Sequence, residues 1–192
     1  MLPRHTSTTL AAQRHTPLLR VILLIALLVA GLTAGAVVTA SPAGAAVPAR
    51  TDLEKRIDWA ILRLVNKERA IFGLRPLRMV SQLRLSARRH NVQMAAYNEM
   101  SHQLPGEPDF TTRMSNAGYQ WSWAGENIAW NSEMTLPGVT LLQRLMYHEK
   151  PPNDAHRLNI LSTHYRNIGV DVYLDRAHHK VWLTTDFGKP LG

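Results

Sequence analysis

No cysteine occurs in the chain, although its opening residues read as an address for export. Arg4, Arg14 and Arg20 precede an uncharged stretch from Val21 to Ala40 that includes "VILLIALLVAGL". The "AGA" at Ala43, Gly44 and Ala45 has the A-x-A form that signal peptidases accept. We expect a signal peptide over residues 1–45, cut after Ala45, with Ala40 as the second candidate. The rival is an uncleaved membrane anchor, because an uncharged run of this length just spans a bilayer core of ~30 Å. The short Leu/Ile-rich centre and the small-residue tail favour cleavage. An exported domain without cysteine has no disulfide to staple it, so it must hold together through its core alone. The same absence removes lipid attachment of the bacterial lipoprotein kind, a thiolate nucleophile and a thiolate metal site.

Cleavage at Ala45 leaves the length of one ordinary domain. Removing the three leader arginines from 22 basic residues leaves nineteen, against 14 acidic ones, a formal charge of +5. That balance is mildly basic and points away from nucleic acid; anionic cell-surface polymers or lipid headgroups suit it better. "SPAGAAVPAR" contains the cleavage region and the start of a short linker, assigned to residues 46–52, ahead of a single domain over 53–192. A secreted monomer is the expectation.

"TDLE" at Thr51 to Glu54 has the form of a capping box. Leu53, Ile57, Ile61, Leu64 and Val65 then recur at helical spacing, and Gly73 supplies a stop. After a "GLRPLR" loop, a second helix is predicted from Ser81 to about Met100, with Leu83, Ala87, His90, Met94 and Tyr97 on one face. A short third helix is predicted over Asp109 to Asn116, closed by Gly118. "AGENIAW", Ala124 to Trp130, reads as a strand. A helix entered at Pro137 turns Val139, Leu142, Leu145 and Met146 toward the core. Asn153 or Asp154 caps a turn of helix holding "HRLNIL". The tail is a hairpin, in which Ile168, Val170, Val172 and Leu174 alternate, "DRAHHK" connects, and Val181, Leu183, Thr185 and Phe187 alternate again. Helices first and a small antiparallel sheet later make an α+β chain.

Taken in order, "LVNKERAIFGLRPL", "MSH", "GENIA", "HRLNIL", "NIGVDVY" and "TTDFG" resemble the CAP superfamily, also called the SCP-like extracellular domain. The resemblance covers about Ile57 to Gly188, and "PPNDAHRLNIL" is most similar to the bacterial branch. It implies a three-layer α-β-α sandwich with a central cavity lined by two histidines and two glutamates. His102 of "MSH" matches the first histidine and Glu126 of "GENIA" the first glutamate. His156 of "HRLNIL" matches the second histidine, and Glu149 is assigned as the second glutamate. The proline knot between Glu149 and His156 would then fix the angle at which both enter one cleft.

Two ionised glutamates beside two neutral histidines carry a net −2, which is costly to desolvate unless a cation or protons enter. Imidazole and carboxylate are competent ligands for a divalent metal such as zinc, and His102 and His156 are the candidate metal ligands. The structural alternative is a buried network in which each carboxylate accepts hydrogen bonds from an imidazole and nearby backbone. His90 lies on an apolar helix face and reads as a core histidine. His178 and His179 read as solvated, as do Arg84, Arg88 and Arg89, whose face is the candidate for an anionic surface. Trp121, Trp123 and Trp130 read as core, with a cleft for an apolar or sugar ligand as the other reading. No H-E-x-x-H, G-x-S-x-G or P-loop occurs. The resemblance implies a secreted, non-enzymatic domain whose cleft binds a small apolar or amphipathic ligand, a metal ion or a cell-envelope component. The alternative is a metal-dependent hydrolase or peptidase.

Overall fold

The computed structural model describes residues 47–192, so the signal-peptide reading of residues 1–45 lies outside the described residues. The elements are α1 (Asp52–Ile71), β1 (Arg78–Met79), α2 (Ser81–Tyr97), α3 (Phe110–Asn116), β2 (Trp121–Asn131), α4 (Leu136–Tyr147), α5 (Ala155–Ile160), β3 (Asn167–Asp175) and β4 (Lys180–Pro190). The four strands form one sheet in the order β1-β3-β4-β2. β4 runs antiparallel to both β2 and β3, and the two-residue β1 adds a parallel pairing with β3 inside the segment read as the "GLRPLR" loop and its exit.

Period-two alternation in the hairpin divides the sheet between two helical layers. Ile168, Val170, Val172, Leu174, Val181, Leu183 and Phe187 enter the main core with α1, α4 and Ile160 of α5. Trp182 and Ile128 face the other way, packing with Met94 and Ala95 of α2 and with Leu104. Leu83, Met114 and Tyr119 extend that second layer. Helices therefore cover both faces, and the expected α-β-α sandwich is present. α2 lies close to β3 because Gly169 has no side chain; a Cβ there would sit 2.2 Å from the backbone carbon of Leu83.

The capping box forms as the sequence predicts: Glu54 N–H donates to Thr51 Oγ1 (3.2 Å), and Thr51 N–H donates to Glu54 Oε2 (2.6 Å). α1 turns off at Gly73, which takes the left-handed φ of +65° that a helix exit favours. α2 stops at Tyr97, three residues before the expected Met100, because Asn98 adopts the left-handed conformation (φ 51°) and caps it. Tyr97 is consequently exposed at the helix end, and His102 stands on the following loop and not on the helix.

Other expectations need correction. Leu145 points outward at 59 % exposure; Gln143 and Tyr147 complete the buried stripe of α4. Trp123 and Trp130 are also exposed, at 46 % and 41 %. A register shift in β2 between Trp121 and Trp123 accounts for the first: Trp121 packs inward with Ala124, while Trp123 stacks on His164 at 3.7 Å between ring centroids. Trp130 lies under the Lys180 ammonium, 4.2 Å from its ring centre. His178 and His179 are solvent-exposed, as the sequence suggests.

Arg88 and Arg84 do not form a solvated basic face. Arg88 Nη1 lies 3.3 Å from Glu54 Oε1 and 3.5 Å from Asp171 Oδ2, while Arg84 and Arg50 both approach Asp58. The helical period places Arg84 and Arg88 on the side of α2 that meets α1 and β3, where buried carboxyl groups face them. Arg88 Nη2 also donates to Pro48 O (3.2 Å), so the segment ahead of α1 is docked on α2.

Candidate functional site

The four residues singled out in the sequence form two His–Glu pairs on either side of β2, the edge strand of the sheet. His102 Nδ1 donates to Glu126 Oε1 at 2.8 Å. His156 Nδ1 lies 2.5 Å from Glu149 Oε1, and the His156 backbone N–H donates to Glu149 Oε2 at 3.1 Å. Glu149 is thus the carboxylate partner of His156, and the Pro-Pro turn lets it reach back over the start of α5. Arg157 donates through Nη1 to Tyr147 O, tying α5 to the end of α4.

Alternation along β2 explains the placement. Glu126 shares the α2/α3 face with Asp186, its cross-strand partner on β4. Asn127, the next residue, faces the α5 side and donates to His156 O at 3.0 Å. Asn159 of α5 donates to Asn127 Oδ1 (2.8 Å) and to the Glu126 carbonyl (3.2 Å). Gly125 makes room for this docking, since a Cβ would fall 2.2 Å from Tyr165 Oη and 2.9 Å from Asn159 Oδ1.

The Glu126 carboxylate is buried and heavily supported. Arg113 of α3 donates to its Oε2 through Nη2, and Arg113 Nη1 donates to His102 O (2.9 Å) and Pro108 O (3.1 Å). One guanidinium therefore fixes both Glu126 and the loop that presents His102. Burial works to raise the Glu126 carboxyl, but the hydrogen bond from His102 and the nearby His90 and Arg113 outweigh it and hold it below its ordinary range. Behind this pair, His90 is fully buried with Nδ1 2.9 Å from Glu107 Oε1, which makes it a core histidine. Asp186 is fully buried with neither oxygen hydrogen-bonded, and burial, then the Glu126 charge, drive its carboxyl well above the usual range.

The outer sides of the pairs differ in access. The side chain of His102 is 54 % exposed and that of Glu126 only 1 %, whereas His156 and Glu149 are 31 % and 25 % exposed. With Nδ1 engaged by a carboxylate, each imidazole keeps Nε2 for a ligand, the arrangement in which an outer carboxylate orients a metal-binding histidine. Among the described residues no group of three or more His, Asp or Glu side chains gathers as a metal site. The two pairs therefore do not gather into one cluster of donors among the described residues. The donor set does not fit a closed structural zinc.

Sequence reasoning missed Arg113, Asn127, Asn159 and Asp186. For Asn127 a signal existed: it follows Glu126 in a strand, so it had to face the opposite layer.

Comparison with known proteins places the chain in a family. The family model described as CAP, cysteine-rich secretory protein family, matches residues 62–187, and the chain belongs to that family. The uncharacterized protein YkwD of Bacillus subtilis is 30 % identical over 129 residues, spanning 67 % of this chain and 46 % of that protein. An extracellular protein containing an SCP domain from Bacillus anthracis superposes with a TM-score of 0.61 at 26 % identity, covering 75 % of this chain and 45 % of that one. An outer surface protein of Borrelia burgdorferi shares the fold, with a TM-score of 0.61 at 15 % identity over 71 % of this chain and 95 % of its own. The chain thus spans about half the length of YkwD and of the Bacillus anthracis protein. Among the described residues no helix is long and apolar enough to cross a membrane.

Proposed function

We propose that the domain acts outside the cell as a non-enzymatic binding module whose ligand meets His102 and His156 together, across the edge formed by β2. The observation that carries this reading is the matched engagement of both imidazoles: each gives Nδ1 to a glutamate and leaves Nε2 open. Such a pair takes a weakly held divalent cation such as zinc, or the polar head of a small amphipathic molecule. Exposed Trp123, stacked on His164, offers an apolar surface on the α5 side of the same strand. A cell-envelope component carrying both features is the class of partner expected. The export reading of the leader and the extracellular and outer-surface descriptions of its structural relatives support the location. A metal-dependent hydrolase is the lesser reading, because catalytic zinc sites use three protein ligands beside a water.

Zinc calorimetry on the full chain tests the reading. Protons and metal compete for imidazole, and free imidazole titrates near ~6.5, so affinity should fall between pH 7.5 and pH 5.5. His156→Ala should abolish most binding, while His178→Ala, in the solvated hairpin connection, should change little. Equal zinc affinity in wild type and His156→Ala would end the metal form of the proposal. An unfolded His156→Ala protein would instead assign the pairs to a structural hydrogen-bond network.

A further inference from the structure

A polar concavity lies at the opposite end of α5 from His156, between the exit of α1 and the loop that leads into β3. Its volume is about 310 Å³, and Arg69, Gly73, Leu74, Arg75, Thr163 and Arg166 line it. That is roughly ten times the ~30 Å³ share of one liquid water, room for a small polyatomic group.

Among the described residues the charge in this cavity has no carboxylate counterpart. No carboxylate forms an ion pair with Arg69, Arg75 or Arg166 among the described residues, and residues 1–46 contain no Asp or Glu to supply one. Elsewhere this fold matches its buried arginines carefully. Arg88 meets Glu54 and Asp171, and Arg113 meets Glu126 and Glu107. Arg69 is just as buried, at 1 % exposure, and is the exception.

Part of the guanidinium chemistry is structural. Arg69 donates through Nε to Arg75 O (3.0 Å) and through Nη1 to Ile160 O (2.7 Å) and Ser162 O (2.9 Å). Arg166 Nη1 donates to the carbonyls of Thr163, His164 and Tyr165. These bonds hold the loop in place and leave other donors over. Arg69 Nη2, Arg166 Nε and Nη2, the whole Arg75 guanidinium and Thr163 Oγ1 make no hydrogen bond to another described residue. Burial and the neighbouring Arg166 charge both press against the Arg69 cation, holding its pKa below the ordinary value. An anion entering the cavity would relieve that repulsion. Planar guanidinium forks match phosphate geometry, and three uncompensated charges suit a dianion better than a single carboxylate.

We propose that Arg69, Arg75 and Arg166, with Thr163, form a binding site for a phosphoryl group, either free phosphate or a small phosphate monoester. The site is independent of the His–Glu pairs, and its variants are expected to leave zinc binding unchanged.

Calorimetric titration of the full chain with inorganic phosphate, glycerol 3-phosphate and acetate at low ionic strength tests this. Phosphate or its ester should bind saturably and acetate at least tenfold more weakly. Arg75→Gln and Arg166→Gln should each weaken phosphate binding by about tenfold, equivalent to ~1.4 kcal/mol. Rising salt should weaken it further. Arg69 is left intact because it staples α1 to the end of α5. Stronger binding of the ester would assign the site to organophosphates, and stronger binding of inorganic phosphate would assign it to the free anion. No saturable binding by wild type, or unchanged affinity in both variants, would overturn the proposal. His102→Ala should bind phosphate normally; a loss there would show that the anion had gone to the other site.

Discussion

Arg113 lies in a seven-residue helix and appears in the sequence only as one basic residue in "TTRMSN". Its partners, Glu126, His102 O and Pro108 O, arrive from a strand and a loop, so no local pattern announces it. His102, Glu126 and His156 stand in distinctive motifs, whereas Glu149 is assigned beside them from the resemblance without a motif of its own. Their supporting arginine was not legible, because burial of a long side chain is decided by packing between elements. Arg113→Ala should leave the Glu126 carboxylate buried and short of its guanidinium partner, at a cost of about 3–5 kcal/mol. Arg113→Lys should recover only part of this, since an ammonium cannot reproduce the guanidinium fork. Urea denaturation of the three proteins measures both effects; stability unchanged in Arg113→Ala would refute this account of the site.

At the scale of elements, the strong periodicities transferred well. The hairpin alternation and the capping box appear as expected, and Ile57, Ile61 and Val65 of α1 are buried, while Leu62 enters the core where the sequence predicts Leu64. β1 was not legible, because a two-residue parallel strand is defined only by its partner β3. The contact between α1 and α4 shows a further limit. Buried Glu68 accepts from Gln143 Nε2 (2.8 Å), while Glu68 Oε1 and Gln143 Oε1 have no partner. A proton on Glu68 Oε1 would let it donate to the Gln143 oxygen and satisfy both. Burial raises this carboxyl to about 7, in the same direction. The folded state therefore binds the proton more tightly than the unfolded chain, whose carboxyl titrates near 4.5. The resulting stability is complete below the unfolded value and is lost as pH rises through about 7. Between pH 5 and pH 8 wild type should lose on the order of 2–3 kcal/mol through this group. Glu68→Gln should flatten that part of the profile and unfold at a higher temperature than wild type at pH 8. Parallel pH profiles of thermal unfolding would show it, and identical slopes would exclude it.

Across the whole molecule, composition assigns residues 46–52 as linker, yet within them Pro48 and Arg50 are engaged by Arg88 and Asp58. Composition reports chain stiffness and polarity; it does not report that two buried ionic side chains await partners. The three-layer plan also settles what happens at the rim of the sheet. β2 lies at an edge, and its outward carbonyls at Ala124 and Glu126 accept hydrogen bonds from Tyr165 Oη and Asn159 Nδ2, both at 3.2 Å. Unpaired strand edges are templates for joining another chain, and here side chains from α5 and the following loop occupy the template. The residues that dock α5 on β2 thus also guard the protein against polymerising through its own sheet. Asn159→Ala should therefore disclose itself as growing particles in light scattering at temperatures where wild type stays monodisperse. Damage at this site would be met first as insolubility, before any failure to bind.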